Sequence, residues 1–190
     1  EDIIRTFRHL IAIVPSDGVI IANCDNDILS DLLAEHPVTK QGIVTVITYG
    51  TKSSSDYSIE DLLQNEDGMT FNLNSKKHGS IKVSSRLHGT CQAFNIAASI
   101  ISALQYGVEI DKILSEVEKF TGLKRRMEVV YDKNGTVIID DFAHHPTAIK
   151  ETLEAVKFRY PYKKVIAVLE PRSNSMRRSV FSEQITKSLA

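Results

Sequence analysis

Apolar residues recur at Ile3, Ile4, Phe7, Leu10 and Ile11. That is the spacing of one helix face, so a helix is predicted over 3–13. Pro15 ends it, and Asp17-Gly18 turns the chain. The run GVIIA at 18–22 is continuously apolar and short, which predicts a buried strand. Asn26 or Asp27 is placed to cap a helix running through Leu33. Residues 43–49, IVTVITY, are rich in β-branched side chains and predict another strand. Residues 50–56 read as a polar loop. Strands at 69–73 and 80–84 form a hairpin around Lys76-Lys77-His78-Gly79. Gly89 opens a long helical stretch to Tyr106, where Gly107 is a natural stop. A shorter helix follows over 111–120. Alternating strands and helices predict an α/β sheet covered by helices.

The pattern restarts after Thr121-Gly122-Leu123. Strands at 127–131 and 136–139 meet across Asn134-Gly135, a strong hairpin signal. Pro146 sits where a first-turn proline opens a helix, here to about Phe158. Residues 164–169, KVIAVL, predict a strand, and 177–189 a last helix. Strand, helix, strand, helix is the start of a second parallel α/β unit. The chain is therefore expected to divide into 1–121 and 122–190.

Charge and composition narrow the class. Lys+Arg is 23 against 24 Asp+Glu, a net charge of -1, which argues against a general nucleic-acid binder. At 42% hydrophobic and 25% charged residues over 190 positions, usage is that of an ordinary globular protein. Cys24 and Cys91 give no disulfide framework and no CxxC pair, so a reducing cytoplasm is expected. No apolar run approaches the ~20 residues of a membrane span. Glu1-Asp2-Ile3-Ile4 lacks the features of a signal peptide. The chain starts without Met and reads as a piece of something longer.

Four clusters carry polar chemistry. Gly50-Thr51-Lys52-Ser53 ends like a phosphate loop but lacks its upstream glycines, and no GxGxxG is present. Asp140-Asp141-Phe142-Ala143-His144-His145-Pro146 lies where a strand ends and a helix starts, the edge of an α/β sheet at which ligands gather. Its carboxylates and imidazoles suit a ribose, a phosphate or a sugar. A helix cap, a solvated turn and a metal site remain open readings of the same residues. Lys124-Arg125-Arg126-Met127-Glu128 falls at the expected boundary, where arginine can clamp phosphate or ribose. An ordinary charged entry to a strand is the alternative, and the better one for Arg125. Glu170-Pro171-Arg172-Ser173-Asn174-Ser175-Met176-Arg177-Arg178 suits an anion such as a carboxylate, or a helix cap at Ser175. Asn95, inside the long helix, reads on its own as a polar face residue, and Cys91 as a small hydrophobe.

Taken together, Gly122 through Glu128, Asp140 through Thr147, and Leu169 through Asn174 with Met176 resemble the Mur ligase superfamily. The pattern DDFAHHPTAI followed by AVLEPRSNSM is most like its murein peptide ligase branch. The resemblance implies the latter part of a central P-loop-type ATPase domain over 1–121. Over 122–190 it implies the first part of a Rossmann-like C-terminal domain that takes the peptide or amino acid. The implied activity is ATP-dependent amide formation, joining a murein tripeptide to UDP-N-acetylmuramate through an acyl phosphate. The implied cofactors are ATP and Mg2+, with the phosphate loop and metal ligands upstream of Glu1, and the fragment inactive alone. Asn95 then matches an adenine contact, Arg126 an arginine reaching ATP, and Asp141 the ATP ribose partner. His145 matches the catalytic end of the motif, with His144 beside it on the substrate side. Arg172, Ser173 and Asn174 match the recognition of the incoming peptide's carboxylate. In the family pattern GxHNxxN, Cys91 and Gln92 stand where His and Asn are usual. Closure about a hinge near 120–123 is implied. The rivals are a ligase that adds L-alanine instead and a non-catalytic nucleotide-binding α/β module. EPRSN speaks against the first, which usually carries a QPHR-like sequence there.

Overall fold

The computed structural model describes residues 2–170 and 182–189. They form two compact units. The first comprises Glu1–Leu62, Thr70–Ser84 and Phe94–Val117. The second comprises Leu63–Met69, Ser85–Ala93 and Glu118–Ala190.

Helix α1 (Asp2–Ala12) leads to strand β1 (Val19–Asn23), helix α2 (Asp27–Glu35), the short α3 (Pro37–Lys40) and strand β2 (Thr45–Gly50). Asn26 caps α2, its Oδ1 accepting from the Leu29 amide at 3.0 Å. This satisfies one of the amides a helix start leaves without a partner. Strands β1 and β2 run parallel, with Val19 opposite Thr45 and Asn23 opposite Tyr49. Ile11, Ala22, Leu32 and Leu33 form a buried cluster there, with Ile20, Leu29 and Val46 packed on it. The helix-covered parallel pair that the sequence predicts is present.

Strand β3 (Tyr57–Asn65) joins β2 in parallel, and β4 (Gly68–Ser75) and β5 (Gly79–Ser85) complete a sheet of order β1-β2-β3-β4-β5. The pattern of residues 57–65 does not predict β3. Its residues YSIEDLLQN hold one clear alternation, and Asp61 sits at φ 52 within them. Phe71, Leu73 and Val83 are fully buried, each worth roughly 1.5–3 kcal/mol of burial. Helix α4 (Thr90–Gln105) buries Ala93, Ile96, Ala97, Ile100 and Ile101, the i, i+3, i+4, i+7 stripe of a core-facing helix. Tyr49 and Phe94 meet at a ring separation of 6.4 Å. Helix α5 (Ile110–Lys119) follows.

In the second unit, β6 (Glu128–Lys133) and β7 (Thr136–Asp140) form an antiparallel hairpin. Asn134 (φ 52) and Gly135 (φ 77) make its turn, the left-handed pair that matches strand twist. The register shifts between Val129 and Tyr131, a bulge that bends the strand. Helix α6 (Pro146–Arg159) begins at Pro146 as expected, and α7 (Ser182–Leu189) packs against it.

Residues 164–170 are not a strand, contrary to expectation. A doubly buried parallel strand needs a ladder partner, and among the described residues this segment has none. A cavity of about 760 Å³ lies between it and β7, lined among others by Val137, Ile139, Leu153, Val156 and Ile166. Val168 is accordingly 93% exposed. The last helix starts at Ser182 among the described residues, so the expectation over 177–181 lies outside them.

His88 is buried in the loop before α4. Its Nε2 donates to the Asn65 and Glu66 carbonyls at 3.1 and 3.2 Å, while the Gly89 amide donates to Gln64 Oε1 at 2.7 Å. Burial, and then the Arg159 charge, push the imidazole pKa below its ordinary value, against smaller pulls from the two carbonyls and Asp67. A depressed histidine favours the folded state above its unfolded pKa near 6.5. That stability falls away as pH drops through the depressed value. Denaturant midpoints are expected to fall on acidification from pH 7.5 to 5, and to fall less in His88→Gln, which donates without taking a proton. Identical acid dependence in the two proteins would refute the assignment.

Candidate functional site

The hairpin register builds the site. Glu128, first in β6, lies opposite Asp140, last in β7. The residues before β6 therefore run beside those after β7. The Phe142 amide donates to the Arg125 carbonyl at 2.9 Å, extending the ladder one step. The two clusters that the sequence shows far apart, 124–128 and 140–146, become neighbours.

Asp141 stitches them. Its Oδ2 accepts from the Met127 amide at 2.8 Å, and its Oδ1 from the Ala143 amide at 2.7 Å. Thr152 Oγ1, on α6, donates to the same Oδ1 at 3.3 Å. One carboxylate thus fixes both segments and the helix behind them, and it faces the 760 Å³ cavity.

Arg125 (φ 58) and Met127 (φ 54) are both left-handed, a conformation costing a residue with a Cβ about 1–2 kcal/mol. Each amide is held by a carboxylate, that of Arg125 by Glu128 Oε2 at 2.8 Å and that of Met127 by Asp141. Bonds to charged acceptors contribute roughly 1.5–3 kcal/mol each, enough to offset the strain. Between them Arg126 is exposed, and among the described residues its guanidinium makes no hydrogen bond or ion pair. Arg125 differs. Its Nε lies 3.6 Å from Asp140 Oδ2, and its guanidinium sits 4.9 Å over the Phe142 ring. The structural reading of Arg125 is the one the geometry supports, and Asp140 serves it.

His144 packs edge-on to Phe142 at 5.1 Å, and its Nδ1 donates to the Phe142 carbonyl at 3.0 Å. His145 is the residue before α6, exposed, with no side-chain cap bond to the helix. Arg126, Asp141, His144 and His145 therefore share one unit. Asn95 is exposed on α4, within the first unit. Arg172, Ser173 and Asn174 lie outside the described residues.

The polar loop at 50–56 is structural. Lys52 Nζ donates to Asp27 Oδ1 at 2.9 Å and to the Cys24 carbonyl at 3.1 Å. The bond from Asp27 raises the pKa of Lys52. Asp25 accepts the Thr51 amide on both oxygens, and a Cβ on Gly50 would come within 2.6 Å of it. A cavity of about 490 Å³ nearby is lined by Cys24, Ser30, Thr39, Lys40, Thr48 and Lys52. Its Ser30, Thr39 and Thr48 hydroxyls already donate within the fold. Among the described residues no cluster of three or more His, Cys, Asp and Glu could hold a metal ion, and no helix is long and apolar enough to cross a membrane.

Residues 1–103 match the Mur ligase middle domain, and residues 125–188 the Mur ligase, glutamate ligase domain. The chain belongs to the Mur ligase family. Mur ligases are ATP-dependent amide ligases of cell-wall biosynthesis. A UDP-N-acetylmuramate–L-alanine ligase from Caldanaerobacter subterraneus subsp. tengcongensis is 33% identical over 186 residues, 96% of this chain and 38% of the relative. A solved murein peptide ligase from Psychrobacter arcticus 273-4 superposes with TM-score 0.64 at 31% identity, over 91% of this chain and 35% of that one. MurF ligase from Thermotoga maritima, solved with ADP, shares the fold at TM-score 0.67 and 21% identity, covering 92% and 38%. The chain thus spans less than two-fifths of each of these three ligases.

Proposed function

We propose that this chain is part of a Mur ligase that uses ATP to join a murein tripeptide to UDP-N-acetylmuramate. Residues 1–121 belong to its central domain and 122–190 to its C-terminal domain. ATP phosphorylates the lactyl carboxylate of the muramic acid. The amine of the peptide then attacks the acyl phosphate, and phosphate leaves. Such chemistry asks for positioned charge rather than a protein nucleophile. The observation that carries the reading is Arg126, flanked on both sides by captured amides and with its own guanidinium uncommitted among the described residues. It is assigned to ATP. Asp141 retains lone pairs beyond its three hydrogen bonds, enough for a ribose hydroxyl. Asn95 is assigned to adenine, His145 to the reacting groups and His144 to the substrate side. Arg172, Ser173 and Asn174 are assigned to the acceptor's carboxylate. Among the described residues no group of three or more His, Cys, Asp and Glu could hold a metal ion, and no residue of this chain is assigned to Mg2+.

The sequence EPRSN and the 31% identity to a murein peptide ligase favour the tripeptide. The 33% identity to an L-alanine ligase supports the second reading, L-alanine as acceptor. The full-length protein, given ATP, magnesium and UDP-N-acetylmuramate, is expected to release ADP with tripeptide and not with L-alanine. Release with L-alanine alone would exchange the readings. Silence with both would remove the ligase assignment.

A further inference from the structure

Glu128 has no place in the reading above, yet it holds the segment on which that reading depends. Its Oε2 accepts the Arg125 amide at 2.8 Å, across a turn in which Arg125 and Met127 are both left-handed. Asp141 captures the other flanking amide, that of Met127. The backbone on either side of Arg126 is therefore held by two carboxylates from different strand ends. The side chain of Arg125 is occupied with Asp140 and Phe142, so it cannot substitute for Arg126. A left-handed residue with a Cβ reverts to the right-handed or extended basin when its restraint is removed. The peptide after Arg125 is also held by the Phe142 amide on the Arg125 carbonyl at 2.9 Å and by the Arg126 amide on the Leu123 carbonyl at 3.2 Å, so reversion at Arg125 would strain both bonds and re-aim Arg126.

We propose that Glu128 is a positioning residue for Arg126, acting through the Arg125 amide and not on any substrate. The inference rests on the reading that Arg126 meets ATP. Gln keeps a carbonyl oxygen that accepts the same N–H, whereas Ala does not. In the full-length protein, Glu128→Ala is expected to lower kcat/KM for ATP about tenfold, mainly through KM, the scale of one misaligned contact. Glu128→Gln is expected to stay within about threefold of the parent, because the acceptor is retained. In an Arg126→Ala background, Glu128→Ala is expected to cost nothing further, since residues acting as one unit are not additive.

Additive losses, or failure of Gln to restore what Ala removes, would overturn the proposal. A separate reading of the Arg125 amide by hydrogen exchange needs no ATP. Its protection is expected to be lost in Glu128→Ala and kept in Glu128→Gln. If Arg126→Ala leaves ATP kinetics unchanged, the ATP reading of Arg126 fails by itself. The exchange result then decides the clamp: lost protection upholds it, and retained protection overturns it.

Discussion

Arg126→Ala in the full-length protein is expected to reduce kcat/KM for ATP about a hundredfold. A charge-assisted, bidentate contact of arginine with phosphate or ribose is among the stronger polar interactions, and a hundredfold corresponds to about 2.7 kcal/mol. The structure leaves this guanidinium no internal partner among the described residues, so its removal should barely change stability. That separates it from a structural arginine such as Arg125, whose loss would release Asp140 and the Phe142 ring. Arg126→Lys is expected to recover only part of the loss, because a point charge does not reproduce the planar fork. Steady-state ADP release at varied ATP, together with a melting curve, is the measurement. Unchanged ATP kinetics would remove Arg126 from the nucleotide site. A selective rise in KM for the peptide would move it to the acceptor side.

Asp141→Ala is expected to do more, by damaging fold and function together. It strands the amides of Met127 and Ala143 and releases Thr152 from the carboxylate. Unmet polar groups of this kind cost about 1–3 kcal/mol each. The second unit should therefore lose roughly 2–5 kcal/mol, read as faster hydrogen exchange at Met127 and Ala143 and an earlier melting transition. ATP turnover should fall at least as far as in Arg126→Ala, since the backbone beside Arg126 loses one of its two carboxylate restraints together with the proposed ribose contact. Asp141→Asn keeps one good acceptor oxygen and should lie between. A carboxylate that only met the ribose would give a different result: Asp141→Ala would lose ATP affinity with its melting and exchange unchanged.

Much of this could be read from the sequence, and the parts that could not have identifiable causes. Asn26, Pro146 and Asn134-Gly135 are local signals whose chemistry acts within a few residues, and each did what its type predicts. β3 escaped because YSIEDLLQN mixes charge into both faces. The segment 164–169 has the composition of a buried strand, but a strand exists only with a partner, and composition cannot supply one. Within the site, Asp141 and Arg126 were visible as residue types in suggestive places. The role of Glu128 was not, because it depends on φ values at Arg125 and Met127 that no propensity forecasts. The meeting of 124–128 with 140–146 was available in principle, by counting outward from the Asn134-Gly135 turn. The bulge between Val129 and Tyr131 shifts that count by one, and a bulge leaves little mark on sequence.

The same turn sets a rule for how this region can change length. Because Glu128 faces Asp140 across the hairpin, the distance from the tip to the site is measured along two strands at once. Residues added or removed near Asn134-Gly135 keep that register when they come in matched pairs, one on each side, or when an unmatched one is taken up in a bulge like that between Val129 and Tyr131. An unmatched insertion that no bulge absorbs slides one strand past the other and turns every side chain beyond it to the opposite face. The hairpin therefore works as a ruler: its tip is confined to residues that take the left-handed conformation of Asn134 and Gly135, and the difference in length between its two arms is fixed by a site at the far end.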